Sequence, residues 1–264
     1  MILPAHEMRR LRRAVGAERH DARGGGDLTG EQQETLDSLV ARRLAGEPLQ
    51  YLEGSAAFGP IEVGVDRRAL IPRPETEGLW ELAVAALGEA GPGTVIVDLG
   101  TGSGALALAL KHAFPRARVY GVDDSAEALA LAAENADRLG LEIVLVEGDL
   151  FDPLPERLMG RLDLVVSNPP YVAATEWESL PTDVRDHEPR HALVAGPDGT
   201  EVLRRIAADG YWWLGVGGHL LCEIGESQGE AAREAFAAYD CRILPDLTGR
   251  DRYLAARKGA ACCR

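Results

Sequence analysis

Cysteine is scarce. Only Cys222, Cys241, Cys262 and Cys263 occur in 264 residues, and they follow neither a metal-ligand nor a disulfide spacing. No disulfide framework is expected, and the usage fits a reducing, cytoplasmic setting. Long apolar runs are missing too. None approaches the ~20 residues a membrane-spanning helix needs, so no membrane partner is expected. The N-terminus, MILPAHEMRRLRRAV, sets its basic residues after its apolar ones, the wrong order for a secretion signal. Positive charge is in deficit, with 28 Lys and Arg against 42 Asp and Glu and a formal net charge of −14. A duplex-binding protein usually shows a basic face. Nucleic acid is therefore disfavoured as a partner, and neutral or cationic substrates suit the balance. There is no G-x-x-x-x-G-K-[ST] phosphate loop, no internal repeat and no low-complexity tract.

What remains describes an α/β enzyme. Hydrophobic residues make up 46% of the chain, enough for a real core. The length fits one large domain, or one ordinary domain with an appendage. Residues 5–20 and 31–46 read as helices, the second with Leu36, Leu39, Val40 and Leu44 on one face and Gly46 able to end it. The glycine-rich ARGGGDLTG between them reads as a loop. Residues 47–71 read as short strands and turns. Pro74 then opens a helix as its first residue, with Glu75 and Glu77 in the favourable first turn. From residue 94 continuous apolar strands alternate with helices. TVIVDLG, ARVYGVD, EIVLVEG, LDLVVSN, GGHLLCEIG, CRILPDL and RYLAARK are the strands. This pattern predicts a mostly parallel, seven-stranded sheet covered on both faces. Three segments follow: a short helical N-terminal region (1–46), a β-hairpin or linker (47–77), and the main α/β domain (78–264).

The strand ends carry the chemistry. DLGTGSG places Gly100, Gly102 and Gly104 between a strand and a helix, where a tight turn lets backbone approach a ligand. The spacing is G-x-G-x-G, not the dinucleotide G-x-G-x-x-G. A glycine turn alone is weak, but the next strand ends at Asp123, where doubly wound folds bond a ribose. Successive strands deliver Asp98, Asp123, Asp149 and Asn168 to one rim. Ordinary turn and helix capping accounts for Asp124 or Ser125, but not for the whole rim. Acids with few cations nearby suit a ligand with a ribose and a positive charge, and S-adenosylmethionine, a sulfonium, has both. The fourth strand stops at Asn168-Pro169-Pro170-Tyr171, an unusually stiff end.

VIVDLGTGSGALALAL, ARVYGVD, EGDLF and VSNPPYV, in that order, resemble the class I S-adenosylmethionine-dependent methyltransferases, which have a Rossmann-like fold. GEPLQYLEG, LIPRPETE, DVRDHEPRHAL and GRDRYLAAR narrow the resemblance to the release-factor glutamine methyltransferases of the PrmC/HemK type, over residues 46–257. N-P-P-Y alone is shared with DNA adenine methyltransferases; R-P-E-T-E upstream makes it specific. The resemblance implies S-adenosylmethionine as cofactor. It places Asp98, Gly100, Thr101, Gly102 and Gly104 along its methionine part, and Asp123, with Asp124 beside it, at the ribose. Asp149 and Leu150 would flank the adenine, and Pro74, Glu75 and Thr76 would close over the cofactor. Asn168, Pro169, Pro170 and Tyr171 would hold the nitrogen to be methylated. An amide nitrogen is a poor nucleophile because its lone pair is delocalised. The Asn168 oxygen and the Pro169 carbonyl can accept the two N–H bonds of a planar NH₂, and proline's fixed φ holds that carbonyl still. Such positioning is worth about 7–11 kcal/mol at best.

The family's helical N-terminal domain recognises the protein substrate. Here the glycine stretch reads as replacing its middle, leaving a small, truncated helical region. That keeps two acceptors open: a glutamine in a release-factor-like protein, or a free small molecule with a planar NH₂, such as an amino acid amide or arginine. A nucleic-acid adenine lacks a recognition domain or basic groove. A non-catalytic scaffold conflicts with the intact N-P-P-Y. HEPRH matches the H-E-x-x-H zinc signature, but Pro189 between the histidines breaks the helix that motif needs. YWWLG (211–215) reads as a helix end packed on the sheet. No oligomeric state follows from the sequence.

Overall fold

The computed structural model describes residues 3–16 and 28–260. Helices α1 (Ala5–Ala14), α2 (Gly30–Leu44) and α3 (Leu49–Glu53) come first. Thr29 caps α2 through a reciprocal box with Gln32. Leu11, Leu36, Leu39, Leu49 and Leu52 bury together between the three helices. The expected helix over 5–20 reaches Ala14; residues 17–20 and most of the glycine-rich stretch, 22–27, lie outside the described residues. Residues 49–53 are a helical turn where strands and turns were expected. Pro48 has its φ preset just ahead of it, and Gly54, at φ 72, takes the left-handed conformation that ends it.

A hairpin of β1 (Ser55–Phe58) and β2 (Ile61–Gly64) follows, then α4 (Pro74–Leu87) with Pro74 at its first position. The main sheet begins with β3 (Val95–Leu99), α5 (Ala105–Ala113), β4 (Arg118–Asp123), α6 (Ala126–Leu139), β5 (Val144–Glu147) and β6 (Leu162–Ser167). It ends with α7 (Thr182–His187), α8 (Glu201–Trp213), β7 (Leu214–Glu223), α9 (Gly229–Ala235), β8 (Asp240–Pro245) and β9 (Asp251–Arg257). The order across the sheet is β5-β4-β3-β6-β7-β9-β8. The first five strands are parallel; β9 runs antiparallel to both its neighbours.

Alternation along the strands splits the core in two. Ile96, Leu164, Val166 and Leu221 pack under α4, α5 and the hairpin with Leu79, Leu108 and Phe58. Val95, Val97, Val165 and Leu220 pack under α8 and α9 with Ile206, Phe236 and Phe151. Both faces being covered explains the near-continuous apolar strands. Trp213 is buried at the end of α8, stacked on Phe151 at 5.9 Å, while its neighbour Trp212 is exposed. The parallel strands all end on one side. The order reverses between β3 and β6, which in such sheets is where ligands bind.

Candidate functional site

A cavity of about 340 Å³ lies beyond those strand ends, within the usual range of ligand sites. Its floor is the turn from β3 to α5. Gly100 (φ 71) and Gly102 (φ 55) are left-handed. The N–H groups of Gly100 and Thr101 both donate to the Val122 carbonyl, at 2.8 and 2.9 Å, which pins the turn to β4. A Cβ at Gly100 would meet nothing within 4 Å, so the turn is open on its cavity side.

Asp98 is wholly buried. Its Oδ2 accepts from Thr101 Oγ1 at 2.7 Å and from Ala107 N at 3.2 Å. Burial nevertheless pushes its carboxyl up to about 7. Asp123 ends β4. Its Oδ2 accepts from Gly102 N at 2.8 Å and its Oδ1 from Ser125 N at 3.0 Å. Burial raises its pKa, with those two bonds opposing. Each oxygen still has lone-pair capacity, and Asp123 and Asp124 both line the cavity. Ser125 caps α6 by accepting from Ala128 N at 3.2 Å. Beyond β5, Leu150 holds a left-handed φ of 48. Asp149 and Leu150 form the far wall with Gly148.

Beyond β6, Ser167 donates to the Leu99 carbonyl at 2.8 Å, tying the two central strand ends together. Asn168 and Pro170 line the cavity; Pro169 is buried and outside its lining. The Asn168 amide nitrogen donates to Thr76 Oγ1 at 3.0 Å, and Thr76 donates to Glu223 Oε2 at 2.8 Å. Tyr171 sits behind, its hydroxyl 3.5 Å from Glu223 Oε1, and burial pushes that phenol up to about 12.

Of the sequence-predicted residues, the structure brings Thr76, Asp98, Gly100, Thr101, Gly102, Asp123, Asp124, Asp149, Leu150, Asn168 and Pro170 around one cavity. Pro74 and Glu75 are exposed on the first turn of α4 and do not reach it. Gly104 (φ 79) is the N-cap of α5 and stands outside the cavity lining, where a Cβ would press on Ala132 and Leu108. The rim is less short of cations than expected. Arg205 of α8 lines the cavity and donates to Asp149 at 2.7 Å, and Arg68 lines it while paired with Asp66 and Glu134. His187 and His191 part company: His187 lies 3.2 Å from Arg67, and His191 lines the cavity.

Several lining residues escaped the sequence reading, namely Ala69 to Pro72, His191, Ala192, Val194 and Arg205. They stand on loops and a helix far from the strand ends in sequence. Glu223 escaped as well, although ending an apolar strand beside β6 is the one signal that finds it.

A mostly parallel sheet with this reversal, an open glycine turn and carboxylates at consecutive strand ends is the arrangement of a class I methyltransferase, with S-adenosylmethionine as methyl donor. Family models agree: a methyltransferase small domain matches residues 81–183, and a PrmC N-terminal domain matches 11–54, across the glycine-rich stretch. The chain belongs to the release factor glutamine methyltransferase family. It is 41% identical over 238 residues to the release factor glutamine methyltransferase of Deinococcus radiodurans, covering 89% of this chain and 84% of that one. It is 44% identical to that of Mycolicibacterium smegmatis, covering 86% and 81%. A T. thermophilus 16S rRNA N2 G1207 methyltransferase, solved with AdoMet and guanosine, shares the fold at TM-score 0.53 and 22% identity, covering 77% of this chain and 49% of that one.

Proposed function

We propose that this chain methylates the side-chain amide nitrogen of a glutamine in a release factor. The observation that carries the reading is that Asn168 and Pro170 open onto the same cavity as the glycine turn and Asp123. Donor and acceptor can therefore meet at one point. The cofactor supplies a methyl group on a positively charged sulfur. Gly100, Thr101 and Gly102 pass its methionine part, with Asp98 beneath them. Asp123, flanked by Asp124, takes the ribose hydroxyls. Asp149 and Leu150 flank the adenine, and Thr76 closes the side toward the acceptor.

The acceptor amide binds through its two N–H groups, one to the Asn168 side-chain oxygen and one to the main-chain carbonyl of the otherwise buried Pro169, with Pro170 beside the plane and Tyr171 backing it. These acceptors suit a nitrogen that gains positive charge. With the cofactor bound, its sulfonium would supply the methyl group, Asn168 and Pro169 would hold the amide nitrogen with its lone pair toward that methyl, and the surplus proton would leave to water. No base is needed.

The names of the relatives support a protein acceptor. So does the N-terminal match over 11–54, which weakens the premise of a missing docking domain. We also read the enzyme as cytoplasmic, its cysteines having no pairing pattern. The test is to offer labelled cofactor with an intact release factor and, separately, a panel of free amino acids that includes glutamine and arginine. Methylated glutamine in the protein, with inert amino acids, is the expected result. Turnover of a free amino acid with an unlabelled release factor would overturn the reading.

A further inference from the structure

The register of the two central strands puts Glu223 beside Asn168. Ser167 of β6 pairs with Cys222 of β7, so the next residue along each strand brings Asn168 and Glu223 level. Thr76, from the first turn of α4, stands between them and bonds to both. Glu223 is 1% exposed and does not line the cavity; Thr76 and Asn168 do. Glu223 therefore reaches the site only through its neighbours.

With Glu223 ionised, the direction of these hydrogen bonds is fixed. An ionised carboxylate has no proton to give. The single hydroxyl proton of Thr76 goes to Glu223, so the Thr76 oxygen must accept from Asn168. Only the NH₂ end of that amide can donate. Its oxygen is then turned the other way, toward the site. The opposite rotamer would set an NH₂ against the NH₂ of the incoming substrate, donor against donor. We propose that Glu223, acting through Thr76, is a positioning residue that fixes the Asn168 amide with its oxygen toward the acceptor nitrogen. A protonated Glu223 could instead donate to Thr76, freeing the hydroxyl to donate to the Asn168 oxygen and reverse the amide. The charged and titratable groups around Glu223 are Glu75 of α4, Tyr171 after β6, and Arg252 and Tyr253 of β9. Burial is the main influence on it and moves it up to about 7.

This inference rests on the reading that Asn168 holds the acceptor amide, and Asn168→Ala tests that reading separately. With intact release factor and saturating cofactor, Thr76→Val should lower kcat about 10- to 100-fold while cofactor Kd by calorimetry changes less than about twofold. Thr76→Ser, which keeps the hydroxyl, should recover most of that loss. Wild-type kcat should rise as pH passes through the neutral range. Glu223→Gln should flatten that limb, and so should Thr76→Val, since either change disconnects the carboxylate from the amide. The double variant should be no worse than the poorer single one. Two results overturn the inference: an unchanged pH limb in both variants, or a limb lost only in Glu223→Gln, the mark of a group acting directly. Should Asn168→Ala keep normal kcat, the reading of the site fails. Should it lose kcat while Glu223→Gln and Thr76→Val stay at wild-type rate, only the inference fails.

Discussion

Asp123 shows how much one side chain can carry. Its two oxygens already accept backbone N–H groups from Gly102 and Ser125, so it is fixed before any ligand arrives. A carboxylate held in this way spends little ordering entropy when ribose hydroxyls bind. Asp123→Ala should weaken S-adenosylmethionine by about 1.5–3 kcal/mol, the range for charge-assisted hydrogen bonds. Unchanged affinity by calorimetry would remove Asp123 from the ribose site. Asp98, Asp123, Asp149 and Asn168 were legible in the sequence because each stands at or just beyond the end of a strand, and parallel strands end on one side. Glu223 closes β7 in the same manner, yet no motif surrounds it. Its partners, Thr76 and Tyr171, lie 147 and 52 residues away in the chain, a proximity that only the folded sheet creates. Arg205 sits mid-helix, 56 residues from Asp149, and was hidden for the same reason.

At the scale of elements, the stiff end of β6 is held by more than its prolines. Gln228, just before α9, donates from one amide nitrogen to the carbonyls of both Tyr171 and Gly199, each at 3.0 Å. Gly199 has φ 76, and a Cβ there would lie 2.5 Å from the Tyr171 carbonyl oxygen. Gly199→Ala must therefore strain its own backbone or displace the segment after Pro170. We expect about 1–3 kcal/mol lost in thermal or denaturant unfolding, with turnover falling more than cofactor affinity. A normal melting temperature and normal kcat together would contradict this. A second brace joins the start of α4 to the segment after α7. Arg73 donates to both oxygens of buried Glu188, at 2.6 and 2.7 Å. Arg73→Met would leave that carboxylate without its partner. The expected cost is about 1–3 kcal/mol, below that of a fully dry pair because Arg73 is one-third exposed. The helix at 74–87 was readable from Pro74 and its acidic first turn. The helical turn at 49–53 was not, since five residues hold too few turns for a period to register.

For the molecule as a whole, the run of strands and helices was legible but the order of the last strands was not. The insertion of β9 between β7 and β8 is a matter of pairing, which apolar content leaves open. The assembled charge pattern has a further consequence, because its buried carboxyls pull stability in opposite directions with pH. Glu47, between α2 and α3, sits between Arg42 and Arg67 and is lowered to about 2, chiefly by its bonds to Arg42. Its contribution is present above the ordinary glutamate value of 4.5 and is lost as pH falls through about 2. Asp98 and Glu223 do the reverse. Burial raises both to about 7 from ordinary values of 3.8 and 4.5. Between those limits the folded protein binds more protons than the unfolded chain, so the stability they contribute falls as pH rises through about 7. The ligand-free protein should therefore lose melting temperature from about pH 5 to pH 8, and Asp98→Asn and Glu223→Gln should each flatten part of that slope. A ligand that binds only the folded state adds about 2.7 kcal/mol at 100 times its Kd. If the sulfonium favours the ionised form of the site, that added stability should grow with pH over the same interval. Melting curves with and without S-adenosylmethionine at several pH values measure both effects. A slope that the two substitutions leave untouched would mean that neither carboxyl titrates where its burial puts it.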